Sequence, residues 1–130
     1  MLVEEDDLLR RAFERHIGDT HEVISYSTIT EAMAHVEGCE AAVLSFPRPD
    51  GIGLRLLQRF AEVSPALYRN TVVMVSPGLK VTTRDKLVMQ GCIVLSRPVD
   101  LTTLRSMLLR LVPGEELSLG EEDAVPVETL

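Results

Sequence analysis

Cysteine is scarce in this sequence and long apolar runs are missing, and each feature narrows the class of protein. Cys39 and Cys92 are the only cysteines among 130 residues, which is too few for a disulfide framework. They lack metal-ligand spacing, so we interpret them as reduced, partly buried thiols, with a disulfide between them as the less favoured alternative. No apolar run approaches the length that spans a bilayer. Acids follow Met1 within four residues, where a signal segment would be basic and then apolar. We therefore expect a cytoplasmic protein that does not contact a membrane.

Histidines and basic residues are also few. His16, His21 and His35 form no HxxH or HExxH pattern, which favours surface or helix-face roles over metal ligation. The chain has 20 acidic and 13 basic residues, a formal charge of −7. A net-acidic chain is a poor non-specific binder of nucleic acid, so we expect no nucleic-acid partner.

The negative charge is concentrated in two segments. Six of the 20 acids lie between Glu115 and Leu130, a stretch without a base, and they leave 14 acids against 13 bases in the rest of the chain. Residues 113–130 are therefore predicted to form an acidic, flexible tail beyond a domain at residues 1–112. The second segment is a run of four consecutive acids at residues 4–7.

What the chain does have is an alternation of short apolar runs with amphipathic segments, and 45% hydrophobic residues with which to build a core. The patterns predict strands at residues 1–3, 22–24, 41–44, 71–75 and 93–95. They predict helices at residues 7–17, 28–36, 52–63, 81–90 and 101–112. The third and fourth strands show no polar alternation, which is typical of strands buried on both faces.

Five strand–helix pairs in succession predict an α/β fold. Right-handed crossovers favour a flavodoxin-like, doubly wound, five-stranded parallel sheet of order 2-1-3-4-5 with five helices. In such folds the functional site lies at the carboxyl ends of the strands. The residues at these ends are Glu4, Glu5, Ser45, Ser76 and Arg97.

Four stretches in this order carry a resemblance to a known family. LVEEDDLLRR at residues 2–11 has paired acids before the first helix, and VVMVSP at residues 72–77 ends a strand in Ser76. AVLSFPRPDGIGLRLL at residues 42–57 has a proline four positions and a glycine eight positions after Ser45. VLSRPVDLTTL at residues 94–104 contains an Arg-Pro pair before the last helix. Together they resemble the receiver domain of bacterial two-component response regulators (CheY-like) over roughly residues 1–112.

The resemblance implies a phosphorylation pocket. In the family, two acids and an aspartate bind Mg²⁺, the aspartate takes the phosphoryl group from a phosphohistidine, and a Thr or Ser and a Lys bind its oxygens. The matching positions here are Glu4 and Glu5 for the acids, with Ser76 and Arg97 for the phosphoryl-binding pair. Ser45 stands where the aspartate is expected. The family's switch position, commonly aromatic, is Val94.

These replacements predict a degenerate pocket. A serine hydroxyl is a poor nucleophile without a base beside it, and its neutrality removes one anionic ligand from a site for a hard cation. We therefore expect no Mg²⁺ or other cofactor, with Glu4 and Glu5 as the weak alternative for a metal. Arg97 is expected to pair with Glu5. Taken alone, the run of acids at residues 4–7 would only stabilise a helix N-terminus.

The sequence thus predicts an interaction module and not an enzyme. The resemblance implies a histidine kinase, another receiver or an effector as partner, contacted through residues Val81 to Val112, and a homodimer is also open. Two alternatives remain. One is a working phosphorelay receiver with an atypical acceptor such as Asp50, and the other is a pocket near Ser45 that binds an anion or small ligand.

Overall fold

The computed structural model describes residues 1–46 and 51–112, and these form one sheet with helices on both faces. The strands are β1 (Leu2–Val3), β2 (Ser25–Tyr26), β3 (Ala42–Phe46), β4 (Thr71–Val75) and β5 (Ile93–Ser96). All neighbouring pairs are parallel and the order is β2-β1-β3-β4-β5. The predicted flavodoxin-like topology is confirmed.

The helices of the described ranges are α1 (Asp7–Ile17), α2 (Ile29–Met33), α3 (Gly51–Val63), α4 (Pro65–Arg69), α5 (Val81–Met89) and α6 (Leu101–Leu111). The short helix α4 was not predicted. Proline has no N–H and clashes with the preceding turn inside a helix, but its fixed φ suits the first helical position. Pro65 therefore ends α3 and starts α4.

The second helix ends at Met33 and not at residue 36, and the bounds of two predicted strands were also wrong. The second strand lies at Ser25–Tyr26 and not at residues 22–24, because it pairs with the two residues of β1, Leu2 opposite Ser25 and Val3 opposite Tyr26. The third strand extends to Phe46, so Ser45 lies inside β3, opposite Met74 of β4. All five residues of β3 are buried.

The core has one layer on each face of the sheet. On one face, α1 and α6 cover the sheet through Phe13, Ile17, Leu104 and Leu108. Their i, i+4 spacing gives each helix one apolar stripe. On the other face, helices α2 to α5 contribute Ala32, Phe60, Tyr68 and Leu87 to a second cluster. Two-sided cover explains why β3 and β4 are apolar without alternation.

Further predictions concern the cysteines, membrane-spanning segments, the C-terminal tail and Asp50. Both cysteines are free thiols, Cys92 buried and Cys39 half-buried. In the described ranges no helix has the length and apolar character needed to cross a bilayer. Residues 113–130, predicted to be an acidic tail, lie outside the described residues, and so does Asp50.

Candidate functional site

Four of the five candidate positions lie on the same face of the sheet, at the carboxyl ends of the strands. Two residues before each of them lies an apolar side chain of the α1–α6 layer: Leu2, Val43, Met74 and Leu95. Side chains alternate along a strand, so residues two positions apart share a face. The alternation therefore places together Glu4, Ser45, Ser76 and Arg97.

Glu4 is the buried carboxylate of this group, and each of its polar groups is engaged. Its Oε2 accepts a hydrogen bond from the Asp6 N–H at 3.0 Å, and its Oε1 accepts one from Arg97 Nη2 at 3.4 Å. Its backbone N–H donates to the Tyr26 carbonyl at 3.1 Å, which extends the β1–β2 pairing. Its carbonyl accepts from Arg10 Nη1 at 2.8 Å. Glu4 is thus held by β2, by the chain that directly follows it and by the chain after β5.

Arg97 follows β5 and is fixed at both ends. Its backbone N–H donates to the Val75 carbonyl at 2.8 Å, and its guanidinium forms the ion pair with Glu4. The Arg97–Pro98 peptide bond is cis. Among the described residues, Arg97 Nε is buried and has no hydrogen-bond partner. The guanidinium therefore has a donor left over inside the pocket.

The expected pairing of Arg97 with Glu5 was wrong. Glu5 is exposed, because it lies one residue beyond Glu4 and alternation turns it away from the buried edge. The other two acids of the run serve helix α1. Asp6 caps it by accepting from the Leu9 N–H at 2.9 Å, and Asp7 pairs with Arg10 one turn on. The simple helix-stabilising interpretation therefore applies to Asp6 and Asp7, while Glu4 belongs to the pocket.

Ser45 is 8% exposed. The β1–β3 register pairs Val3 with Leu44, so the next residues along, Glu4 and Ser45, are neighbours at the edge of the sheet. No described residue gives the Ser45 Oγ a hydrogen bond. A buried hydroxyl normally has a partner, so this one is available to a ligand or a water.

The remaining candidate positions lie around this edge. Ser76 follows β4, is half-exposed, and begins a turn in which its carbonyl accepts from the Leu79 N–H at 3.2 Å. Val94 lies in β5 opposite Val73 and packs, half-buried, against the α2–α5 core layer.

The acids that the structure describes at this edge do not fit a divalent metal. A hard cation needs several oxygen ligands, preferably anionic. Glu4 already accepts from Arg97 and Asp6, Glu5 is exposed, and Ser45 is neutral. In the described part of the chain, no group of three or more His, Cys, Asp or Glu could hold a metal ion.

Two hydrogen bonds near the pocket could not be predicted from the sequence. Arg10 reaches the Glu4 carbonyl, although the sequence indicates only its i, i+3 pairing with Asp7. Arg84 of α5 donates to the Ser96 hydroxyl at 2.8 Å and so ties α5 to the end of β5. Contacts to backbone carbonyls and between separate elements depend on tertiary structure, which residue spacing does not give.

The side of the domain at the edge strand β5, which α5 and α6 border, exposes apolar side chains of α5. Met89 is 86% exposed and Val81 is 71% exposed, both on α5. Beside them β5 has one free edge because it ends the sheet, and its residues are only half-buried or exposed. Exposed apolar side chains beside a free strand edge are features of contact surfaces.

Comparison with known proteins places the fold. No protein-family model matches the chain, and no curated protein sequence matches it. A signal receiver domain from Vibrio parahaemolyticus superposes with a TM-score of 0.69 at 20% identity, over 92% of this chain and 95% of that one. A CheY-like response regulator receiver domain protein from Methanospirillum hungatei JF-1 gives 0.70 at 17% identity, over 95% of each chain. A response regulator receiver domain protein from Clostridium thermocellum gives 0.72 at 14% identity, over 85% of this chain and 90% of that one. The chain has the fold of response regulator receiver domains.

Proposed function

We propose that this chain is a degenerate receiver domain of two-component signal transduction, acting in the cytoplasm by protein–protein contact and without aspartyl phosphorylation. The observation that supports this most is the content of the pocket. The acceptor position is the buried, neutral Ser45, and the neighbouring acid Glu4 is bonded to Arg97.

The chemistry of phosphoryl transfer explains why these contents matter. The reaction needs an activated nucleophile and a cation that offsets charge on the transferred group. Ser45 has no base bonded to it among the described residues, and Glu4 is bonded to a guanidinium. The groups that the structure describes at this edge meet neither requirement, and so we do not assign an enzymatic activity.

The proposed contact surface is the segment Val81 to Val112, which comprises α5, β5 and α6. Its exposed apolar residues Val81, Val88 and Met89 supply contact area without any change in the pocket. We propose a histidine kinase, another receiver or an effector protein as partner, or a second copy of this chain. Such a domain would present one fixed surface, because Ser45 and Val94 remove the trigger and the reporter of a phosphorylation switch.

The decisive test is phosphorylation of the intact chain. Wild-type protein is incubated with Mg²⁺ and acetyl phosphate, or with beryllofluoride, and followed by intact mass and by amide NMR. We expect no phosphoryl adduct and no saturable shifts around residues 4, 5, 45 and 76. A working receiver treated in parallel shows that the reagents are active. A stable aspartyl phosphate would contradict the proposal, and its loss in Asp50→Asn would assign the acceptor to Asp50.

A second candidate function is binding of a small anion at the same pocket. It is favoured by two buried groups without partners among the described residues, the Ser45 hydroxyl and Arg97 Nε, both of which can donate to an oxyanion. Titration with inorganic phosphate, without metal, tests it. Saturable NMR shifts that weaken in Ser45→Ala would support this function, and unchanged spectra at millimolar phosphate would exclude it.

Self-association is tested separately by sedimentation. Met89→Glu places a charge on the exposed apolar face of α5, and Leu8→Glu places one on α1, where the leucine is 78% exposed. If α5 forms a dimer contact, Met89→Glu lowers the sedimentation coefficient at high concentration and Leu8→Glu does not. Equal behaviour of wild type and both variants at monomer mass would exclude the homodimer.

A further inference from the structure

We propose that Arg97 acts as an internal cation that closes this pocket to divalent metal, so that an aspartate introduced at position 45 does not by itself create a metal site. The inference rests on the proposed metal-free function and names the group responsible for it. The absence of an acid at position 45 is then only one of two obstacles to metal binding, and the Glu4–Arg97 ion pair is the other.

The first argument is occupancy of the only buried carboxylate at the described edge. The Glu4 side chain is 5% exposed, and each of its carboxylate oxygens already accepts a hydrogen bond, from the Asp6 N–H and from Arg97 Nη2. A metal ion would have to displace the guanidinium to reach Oε1. Removing one partner of a buried ion pair is costly, because the other charge loses its compensation.

The second argument is the path that Arg97 takes. Arg97 follows β5 and Glu4 follows β1, and the sheet order places β3 and β4 between these strands. A side chain that joins the two ends must cross the carboxyl ends of β4 and β3, where Ser76 and Ser45 lie. The backbone bond from Arg97 to the Val75 carbonyl holds the base of the side chain at β4. The Arg97 side chain therefore spans the edge that carries Ser76, Ser45 and Glu4, the residues from which a metal site would have to be built.

The third argument is charge. Arg10 Nη1 contacts the Glu4 carbonyl, so two guanidinium groups approach this one residue. Guanidinium groups carry a permanent positive charge. They repel a divalent cation at short range, and this repulsion is stronger where water is excluded. A lysine at position 97 would instead carry a compact, strongly hydrated charge on a flexible stem, which can withdraw from Glu4 when a metal competes.

The experiment compares Ser45→Asp with the double variant Ser45→Asp/Arg97→Lys, using Mn²⁺ as the metal probe. Binding is read from the electron paramagnetic resonance signal of free Mn²⁺ and from paramagnetic broadening of amides near residues 4, 5 and 45. We expect the double variant to bind at least about tenfold more tightly than Ser45→Asp, which corresponds to about 1.4 kcal/mol. Thermal melts establish that each protein is folded.

The matched control is Ser45→Asp/Arg84→Lys. Arg84 is also a half-buried arginine near the carboxyl edge, but its guanidinium contacts Ser96 and not Glu4. This variant should bind Mn²⁺ as Ser45→Asp does. If Arg97→Lys proves unstable, Arg97→Gln replaces it, since glutamine removes the charge and keeps a polar side chain of moderate length.

The outcomes separate this inference from the proposed function. Equal affinity of Ser45→Asp and its Arg97 double variants would overturn the inference, whether both bind Mn²⁺ or neither does, since Arg97 would then not be what closes the pocket. The proposed function fails on a different result, namely a phosphoryl adduct on the wild-type chain.

Discussion

Glu4 and Arg97 lie 93 positions apart in the sequence and form an ion pair with 3.4 Å between Oε1 and Nη2. Glu4 follows the first strand, and Arg97 follows the last. The contact therefore ties the ends of β1 and β5 together across the carboxyl edge of the sheet. It also gives the buried Glu4 carboxylate a hydrogen bond from a cation, whereas Arg10, the cation near it in the sequence, contacts the Glu4 carbonyl.

Removing Arg97 should destabilise the fold. In Arg97→Ala, Glu4 keeps its hydrogen bond from the Asp6 N–H but loses its cation, and we expect a loss of about 1–3 kcal/mol in the free energy of unfolding. Urea denaturation followed by circular dichroism measures it. Arg84→Ala is the control and should cost less than about 1 kcal/mol, since its partner Ser96 is exposed. Equal costs for both variants would show that the ion pair contributes nothing specific.

The sequence predicts that pocket only in part. Strand order and spacing are enough to place Ser45, Ser76 and Arg97 at one edge, because parallel strands end together. The partner of Arg97 was predicted as Glu5, whereas the observed partner is Glu4. Both acids directly follow the first strand, so their position in the sequence does not distinguish them. The choice depends on which side chain alternation turns toward the buried face, and a strand of two residues gives too short a pattern to fix this.

The N-cap of α1 gives a second prediction. Asp6 Oδ1 accepts from the Leu9 N–H at 2.9 Å, and alanine cannot replace this acceptor, so Asp6→Ala should cost about 1 kcal/mol. Glu5→Ala is the matched control. It removes an acid next to the cap that is exposed, and it should change the free energy of unfolding by less than about 0.5 kcal/mol. Chemical denaturation of the three proteins decides. A larger loss in Glu5→Ala than in Asp6→Ala would contradict the assignment of the cap.

Core contacts give a third prediction. Leu104 of α6 is fully buried against the sheet, and Leu104→Ala removes methyl groups from a packed layer, so we expect a loss of about 2–5 kcal/mol. Leu8→Ala makes the same chemical change at an exposed position of α1 and should stay within about 0.5 kcal/mol of wild type. Thermal and urea unfolding measure both. Similar losses would mean that α6 does not pack on this face.

The helices that the sequence predicts best are those with this kind of stripe. Helices α1 and α6 have apolar residues at i, i+4 spacing, a capping acid and a buried face, so local pattern and tertiary packing agree. Helix α4 has five residues, too few to show a period. The predicted end of β3 was also too early. The prolines that follow Phe46 favour a loop in the local sequence, whereas the pairing of Ser45 and Phe46 with β4 depends on a distant segment.

Alkaline pH should destabilise the domain through two buried groups. Burial raises the pKa of Tyr68, whose hydroxyl donates to Gln90 Oε1 at 3.2 Å, and burial also raises the pKa of the Cys92 thiol from its ordinary value of 9.0. Both groups are neutral below their unfolded-state pKa, where their contribution to stability is complete. As pH rises above about 9, the unfolded chain releases these protons first, so the free energy of unfolding falls by at most about 1.4 kcal/mol per pH unit for each group. Tyr68→Phe should therefore reduce this slope above about pH 10, measured by urea unfolding at several pH values. An unchanged slope in Tyr68→Phe would show that the Tyr68 hydroxyl ionises as readily in the folded chain as in the unfolded one.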